Sequence, residues 1–386
     1  MHQTTMAASP KPFADLVVIE LGHSVAAPFA GQIFGDLGAE VIKIEKRDGD
    51  DARAWGPPFW EGASATFQTL NRSKRSAVCD LRSPHEREAL LALIRERADV
   101  VLQNLRPGQV EQLGLDGESL LKLKPSLIYC NIGAFGRDGP LKDRPGYDPL
   151  MQAFGGVMST TGERGRPSVR VGPSIIDMGT GMWAVIAILA ALRERAASGK
   201  GAVVDVSLFE TASCWVSILA GHYLATGESP GKQGSGASGI VPYKGYATRD
   251  GELVVAAGSD GLFRKLAVVV GHPEWIADPR FADNPARVRH QAELYRLLDD
   301  IMAGANTAHW VEQLEAAGIP CSPVQDIGQM LAHPQTAALG LVQPVPGSDM
   351  RCVALPLSIN GRRPAPGSRP PALGQHTAEL FPRLES

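Results

Sequence analysis

The chain has 386 residues, of which 44% are hydrophobic and 20% charged, and a formal net charge of -3. This is the composition of an ordinary globular protein with ample core, and the interspersed charges leave no electrostatic footprint for nucleic acid or an anionic membrane. Five scattered cysteines (Cys79, Cys130, Cys214, Cys321, Cys352) without CxxC spacing point to reduced thiols in a cytoplasmic protein, against zinc or a disulfide framework.

The opening "MHQTTMAASPKPFADL" lacks the apolar centre of a signal peptide. Next, "LVVIELG" (16–22) reads as a buried parallel strand, "APFAGQIFGDLG" (27–38) as a helix with Pro28 in its first turn, and "AEVIKIEK" (39–46) as a second strand. Strand, helix and strand within about 30 residues make a βαβ unit with a right-handed crossover. The pattern returns in "SAVCDL" (76–81), a helix at 83–98, "DVVLQNL" (99–105) and "SLIYCNIGAF" (126–135). The fold class is therefore α/β, a doubly wound parallel sheet.

A long apolar helix is expected over 178–198, ending at Gly199, and its longest apolar run, Met182 to Leu192, falls short of the roughly 20 residues of a membrane span. One more strand and a further apolar helix follow, then the Gly/Ser-rich boundary "TGESPGKQGSGASGIVP" (226–242). Beyond it, Asp250-Gly251 signals a hairpin, and helices are expected at "DGLFRKLAVVVG", "ARVRHQAELYRLLDDIMAG" and "TAHWVEQLEAAG", giving a smaller α+β domain. From about 331 the chain reads as irregular and Pro/Gly-rich before a short closing helix, "HTAELFPRLES". A tract that long is not a loop of a compact domain, so it is expected to run back across the first domain or onto a partner chain.

The βαβ start invites a dinucleotide reading that fails on its glycines: "LGHSVAAPFAG" contains no GxGxxG. HExxH, GxSxG and Walker motifs are absent too. The residue that asks for an explanation is Asp177, set in "VGPSIIDMGTGMW" between an apolar run and an apolar helix. At such a junction an aspartate is either an ordinary N-cap or a reactive group held in a dry place.

Eight blocks in order, among them "LGHSVAAPFAGQIFGDLGAEVIKIEKRDGDDAR", "NRSKRS", "VLQNLRPG", "GRDGPLKDRPGYDPLMQAFGG" and "EAAGIPCSPVQDI", resemble the family III (CaiB/BaiF-type) CoA-transferases over about 13–380. Within that family, "GDDARAWGPPF", "SGIVPYKGY" and "LGQHT" look most like members acting on succinyl-CoA and small dicarboxylic acids, the glutarate type. The resemblance implies that Asp177 is the nucleophile, forming a mixed aspartyl anhydride with the acyl group of an acyl-CoA. A helix N-terminus suits the negative charge, and Gly179 and Gly181 would let an acyl group approach the backbone.

The CoA phosphates would be met by Lys46, Arg47, Lys74, Arg75 and Arg106, with Asn104 and Leu105 at positions that line the CoA site in relatives. Where some relatives have an arginine, this chain has Gln112, which would pass that contact to Arg106. His23 and Val25 fall beside the expected thioester, and the oxalate-pathway members carry glutamine in place of Val25. Arg53, Arg72 and His23 are candidate ligands of the acceptor carboxylate. The glycine stretch 234–239, with Gly234, Gly236 and Gly239, resembles a loop that closes over the anhydride and shields it from water. No permanently bound cofactor and no metal are expected, since CoA and acyl-CoA enter as substrates.

The family also contains racemases whose base is the histidine of a "GHD" triplet. Here the triplet is Gly146-Tyr147-Asp148, which favours transfer over racemisation. A non-catalytic acyl-CoA-binding protein is the remaining alternative, and a CoA ligase lacks its phosphate loop. The resemblance further implies an interlocked homodimer with a large Rossmann-like domain from both chain ends. Its expected parts are a large CoA-binding domain (1–207), a linker (208–233), a small domain (234–330), a second linker (331–355) and a C-terminal return (356–386).

Overall fold

A computed structural model of the protein describes residues 9–382, residue 238 excepted, so Ser238 of the glycine stretch and positions 383–386 of the closing helix lie outside the described residues. The chain divides into two compact units, one made of 9–157, 170–221 and 334–382, the other of 158–169 and 222–333.

The first unit is built on six strands: β1 (Val17–Leu21), β2 (Glu40–Glu45), β3 (Lys74–Val78), β4 (Val100–Gln103), β5 (Ile128–Gly133) and β6 (Ala202–Ser207). All pair in parallel, in the order β3-β2-β1-β4-β5-β6. Its main helices are α1 (Ala26–Asp36), α2 (Pro84–Arg97), α3 (Gly117–Leu123), α4 (Asp148–Phe154), α5 (Ile175–Ser198) and α6 (Leu208–Trp215). Strand side chains alternate, so β1 sends Val18 into a core shared with α1 and α5, and Ile19 and Leu21 into one shared with α2 and α3. With both faces covered, the strands read as β-branched runs, which is why most were visible in the sequence.

The exception is β3, expected at 76–81 but beginning at Lys74. A lysine and an arginine argue against a buried strand, yet here an internal carboxylate, Glu20, receives Lys74. Helix α5 is long and apolar enough, by length and composition, to cross a membrane, which the uninterrupted run alone understated. In this fold it lies on the sheet, with Ile176, Ala184, Val185, Ile188 and Ala191 in the core.

Glycine sets how closely α5 approaches its neighbours. A Cβ on Gly181 would stand 2.7 Å from the Ala26 carbonyl oxygen of α1, and one on Gly179 would stand 2.8 Å from Trp215 Nε1. Both glycines are taken up by packing, which corrects the expectation that they leave room for an acyl group.

The C-terminal segment returns to this unit. The N–H of Ser76 donates to His376 Nδ1 (3.2 Å), the N–H of Val78 to Thr377 Oγ1 (2.9 Å), and the N–H of His376 to the Ser76 carbonyl (2.9 Å). The outer edge of β3 is thus covered, and Leu380 and Phe381 enter the core. The tract read as irregular carries a short helix, Pro334–Ala338, and a two-stranded sheet pairing Val342–Pro344 with Arg351–Val353.

The second unit holds a three-stranded antiparallel sheet in which Glu252–Ala256 lies between Tyr243–Ala247 and Cys321–Pro323. Its hairpin turns at Asp250-Gly251, with the Thr248 N–H donating to the Gly251 carbonyl. Helices pack on the sheet through Phe263, Leu266, Leu294, Leu298 and Trp310. The helix expected over 286–304 is broken at His290, whose φ of -103° and ψ of 22° separate Asn284–Arg289 from Gln291–Met302.

Gly181→Ala should lower the melting temperature. Overpacking against backbone costs about 1–3 kcal/mol, more than the roughly 1 kcal/mol by which alanine favours a helix interior over glycine. Gly261→Ala, in the helix Asp260–Val269 where a Cβ would meet nothing within 4 Å, is the control and should melt no lower than wild type.

Candidate active site

In an open parallel sheet, ligands enter where the strand order reverses, at the carboxyl ends of the strands. Here that point lies between β1 and β4, because the chain leaves β1 toward β2 and β3 on one side and returns to β4 on the other. The turn after β1 carries His23 and the turn after β4 carries Asn104. Asn104 Oδ1 accepts the His23 N–H and Asn104 Nδ2 donates to the His23 carbonyl, both at 2.9 Å.

Helix α5 brings Asp177 to the same edge of the sheet. Arg195, near the far end of α5, pairs with Asp99 at 3.1 Å and donates to the Ser126 carbonyl, and these two residues lie just before the starts of β4 and β5. The C-terminus of α5 is therefore at the edge where strands begin, and its N-terminus at the edge where they end.

Asp177 is not the N-cap of this helix. Ser174 holds that position and its side chain makes no capping bond. The orphan N–H groups of the first turn go instead to Asp148, the first residue of α4: its Oδ2 accepts from Ile176 (2.8 Å) and Asp177 (3.2 Å). Asp148 Oδ1 accepts from Gln152 Nε2 (2.6 Å), and Gln152 Oε1 accepts the Val171 N–H (2.8 Å), so the capping carboxylate is itself fixed.

The Asp177 side chain is left with no such support. Among the described residues its carboxylate accepts no hydrogen bond, and burial, with the negative Asp148 beside it, pushes its pKa up to about 7. An ionised Asp177 is a poorly solvated carboxylate, the condition in which a weak nucleophile becomes a useful one. Asp148 escaped the sequence reading because "YDP" announces the start of its own helix and says nothing of a distant helix that it caps.

The remaining expected site residues divide into two groups. Lys46 and Arg47, just after β2, are exposed and, among the described residues, held by surface pairs, Lys46 with Asp51 (2.5 Å) and Arg47 with Glu86 (2.7 Å). Such pairs are worth about 0–1 kcal/mol and yield readily to a phosphate. Arg106 is exposed beyond β4, and with Leu105, Gln103, Asn131 and Asp205 it lines an open cavity of about 890 Å³. Gln112 is exposed nearby, Tyr147 is exposed just before Asp148, and Val25 is buried at the head of α1.

The other group is spent inside the fold. Lys74 is fully buried, paired with Glu20 at 2.7 Å and donating to the Pro28 carbonyl and Asn71 Oδ1, so it presents no charge to a ligand. Arg75 reaches Glu40, the first residue of β2, and also Glu379, which commits it to the opposite edge of the sheet from Asp177. Arg72 is 1% exposed and grips Asp36 with two nitrogens, at 3.0 and 2.8 Å. Arg53 grips Glu45 in the same way (2.8 and 2.7 Å) while stacking on Phe67. Neither arginine has a free fork for an acceptor acid. Gly234, Gly236 and Gly239 belong to the second unit, where Gly234 and Gly239 adopt positive φ and the Gly234 N–H donates to the Gly162 carbonyl.

The family model described as CoA-transferase family III matches residues 13–377. The chain is 38% identical to the succinate–glutarate CoA-transferase of Agrobacterium fabrum, over 99% of this chain and 98% of that protein. It is 36% identical to the succinyl-CoA–D-citramalate CoA-transferase of Chloroflexus aurantiacus, over 97% and 94%. A crystal structure of a CaiB/BaiF family protein from Brucella suis superimposes with a TM-score of 0.88 at 38% identity, covering 98% of this chain and 100% of that one. With an α/β sheet that opens at a switch point and a desolvated aspartate on its rim, this chain belongs to CoA-transferase family III.

Proposed function

We propose that the protein moves CoA from succinyl-CoA to a second small dicarboxylic acid, with Asp177 as the covalent carrier. The observation that carries this reading is the state of Asp177: half-buried, its carboxylate accepting no hydrogen bond among the described residues, its pKa raised to about 7, and seated at the N-terminus of a 24-residue helix on the ligand edge of the sheet. The relatives named for succinate–glutarate and succinyl-CoA–citramalate transfer support the substrate class.

The ionised carboxylate attacks the thioester carbonyl, the C–S bond breaks, CoA leaves as thiolate, and Asp177 becomes a mixed anhydride. The acceptor's carboxylate attacks the aspartyl carbonyl, releasing the first acid and forming a second anhydride. The thiolate then attacks the acceptor's carbonyl, giving the new thioester and returning Asp177 as carboxylate. Splitting one exchange into acyl steps spares the enzyme a direct attack of one free acid on a thioester. The field of the α5 N-terminus favours the negative charge that develops at each step.

Lys46, Arg47 and Arg106 are the cations free to meet the CoA phosphates, with Leu105 as apolar wall. His23 remains as the ligand for an acyl or acceptor carboxylate. Its Nδ1 is 2.9 Å from Ser24 Oγ, and burial holds its pKa below the ordinary range against the pull of Asp50, so it serves as a neutral hydrogen-bonding group.

A homodimer in the cytoplasm is part of the same reading. Met178, Met182, Trp183 and Ile186 of α5 are exposed, as is Trp215 of α6. Helix α7 (Ser217–Thr226) buries none of its residues and leaves Ile218 77% and Leu224 83% exposed. An apolar surface of this kind asks for a partner, and a second copy supplies it.

In an ATP-free chromatographic assay, wild type should form new thioesters from succinyl-CoA and dicarboxylic acids, and Asp177→Ala should lose at least about a thousandfold in rate. Transfer surviving in that variant would remove Asp177 from the mechanism. Because the reaction needs the carboxylate and its pKa is raised, kcat/KM should climb as pH rises through about 7. Asp148→Asn keeps an oxygen to accept the helix N–H groups but removes the neighbouring charge, so this limb should move to lower pH. An unmoved limb would mean that another group controls it. Light scattering should give about twice the chain mass, and a monomer mass would contradict the dimer.

A further inference from the structure

Three consecutive residues in the turn after β1 are each clasped through the backbone by a side chain from elsewhere. Lys43 Nζ donates to the Gly22 carbonyl at 2.7 Å, Asn104 bonds both backbone groups of His23, and Asp50 Oδ1 accepts the Ser24 N–H at 3.1 Å. Ser24 has a φ of +68°, a conformation that a side-chain-bearing residue keeps only when its surroundings impose it. Lys43 and Asp50 pair with each other at 2.9 Å, and Lys43 also pairs with Glu20 at 3.0 Å. The Lys43 and Glu20 side chains are 0% exposed and that of Asp50 is 1% exposed.

The surroundings make room for these charges. Glu20 Oε2 takes the Lys74 ammonium, and a Cβ on Gly31 of α1 would stand 2.0 Å from that same oxygen. Asp50 is fixed in turn, its N–H donating to Glu45 Oε2 at 3.0 Å and its Oδ1 also accepting from Ala52. Buried ion pairs of this kind rarely stabilise a fold more than an apolar replacement of equal volume would. Their worth lies in geometry: they leave the turn one conformation.

We propose that Lys43 and Asp50 are positioning residues for CoA transfer, a buried ion pair that holds the Gly22–Ser24 turn and so fixes the His23 imidazole at the strand switch point. The proposal rests on the reading of His23 as a carboxylate ligand. It adds that the imidazole is useful only where this pair puts it, so Lys43 and Asp50 act through His23 and touch no substrate.

The test is a double-mutant cycle on the full-length protein, following succinyl-CoA to glutarate transfer and thermal melting. Asp50→Asn retains an acceptor for Ser24 and Ala52 while weakening the hold of Lys43. Ser24→Gly relieves the positive φ, removes the Oγ beside the ring and leaves no buried charge unpaired, so it reports on the turn even if Asp50→Asn folds poorly. Each is expected to lower kcat at least tenfold in otherwise wild-type protein that still melts cooperatively. In a His23→Ala background each should lower it less than twofold further, a coupling that a general loss of structure would not produce. If His23→Ala is slow and either change costs the same factor with or without His23, the positioning role is overturned while the His23 reading stands. If His23→Ala transfers at the wild-type rate, the His23 reading falls and takes the proposal with it.

Discussion

Asp148 accepts the first N–H groups of α5, and the candidate site depends on that one substitution of partners. A helix start normally uses its own aspartate or serine as cap, which would fold the carboxylate back onto the backbone and satisfy it. Here the cap arrives from α4 and Asp177, three positions beyond the N-cap Ser174, is released from the duty. The same contact sets a second negative charge beside Asp177 as burial strips it of water. Structural capping and chemical activation are thus divided between two aspartates that sequence distance keeps well apart.

The other half of the crevice is organised by charge inside the protein. Glu20, Lys43, Asp50 and Lys74 lie under the turn after β1, with Glu45 and Arg53 alongside. Desolvating so many ions costs several kcal/mol each before pairing offsets it. A core of leucine and valine would hold β1, β2 and β3 together as well, but it would offer no donor to the Gly22 carbonyl and no acceptor to Ser24. The turn that carries His23 is therefore held by polar side chains, while the apolar layers on either face of the sheet supply the stability.

The parallel sheet, the long helix and the Asp-Gly hairpin were legible because each rests on local pattern: β-branched runs, an apolar stripe, a turn dipeptide. What failed to show depended on partners far along the chain. Lys74, Arg75, Arg72 and Arg53 look like free cations in "NRSKRS" and "DAR", and only the fold reveals Glu20, Glu40, Asp36 and Glu45 opposite them. Gly179 and Gly181 look like clearance for a substrate until Trp215 and Ala26 appear against them. Asp177 stood out by its place between two apolar runs, whereas the reason for its state, Asp148, lay within a triplet whose middle residue drew the attention.

The central claim is that the acyl group passes through a covalent bond to Asp177. The most direct measurement mixes the full-length protein with succinyl-CoA, traps it with hydroxylamine and locates the adduct by peptide mass spectrometry. Attack of hydroxylamine on an activated aspartyl carbonyl should leave a hydroxamate on the peptide carrying Asp177, dependent on acyl-CoA and absent when free CoA replaces it. An unmodified Asp177 in protein that is turning over succinyl-CoA under the same conditions would contradict the account.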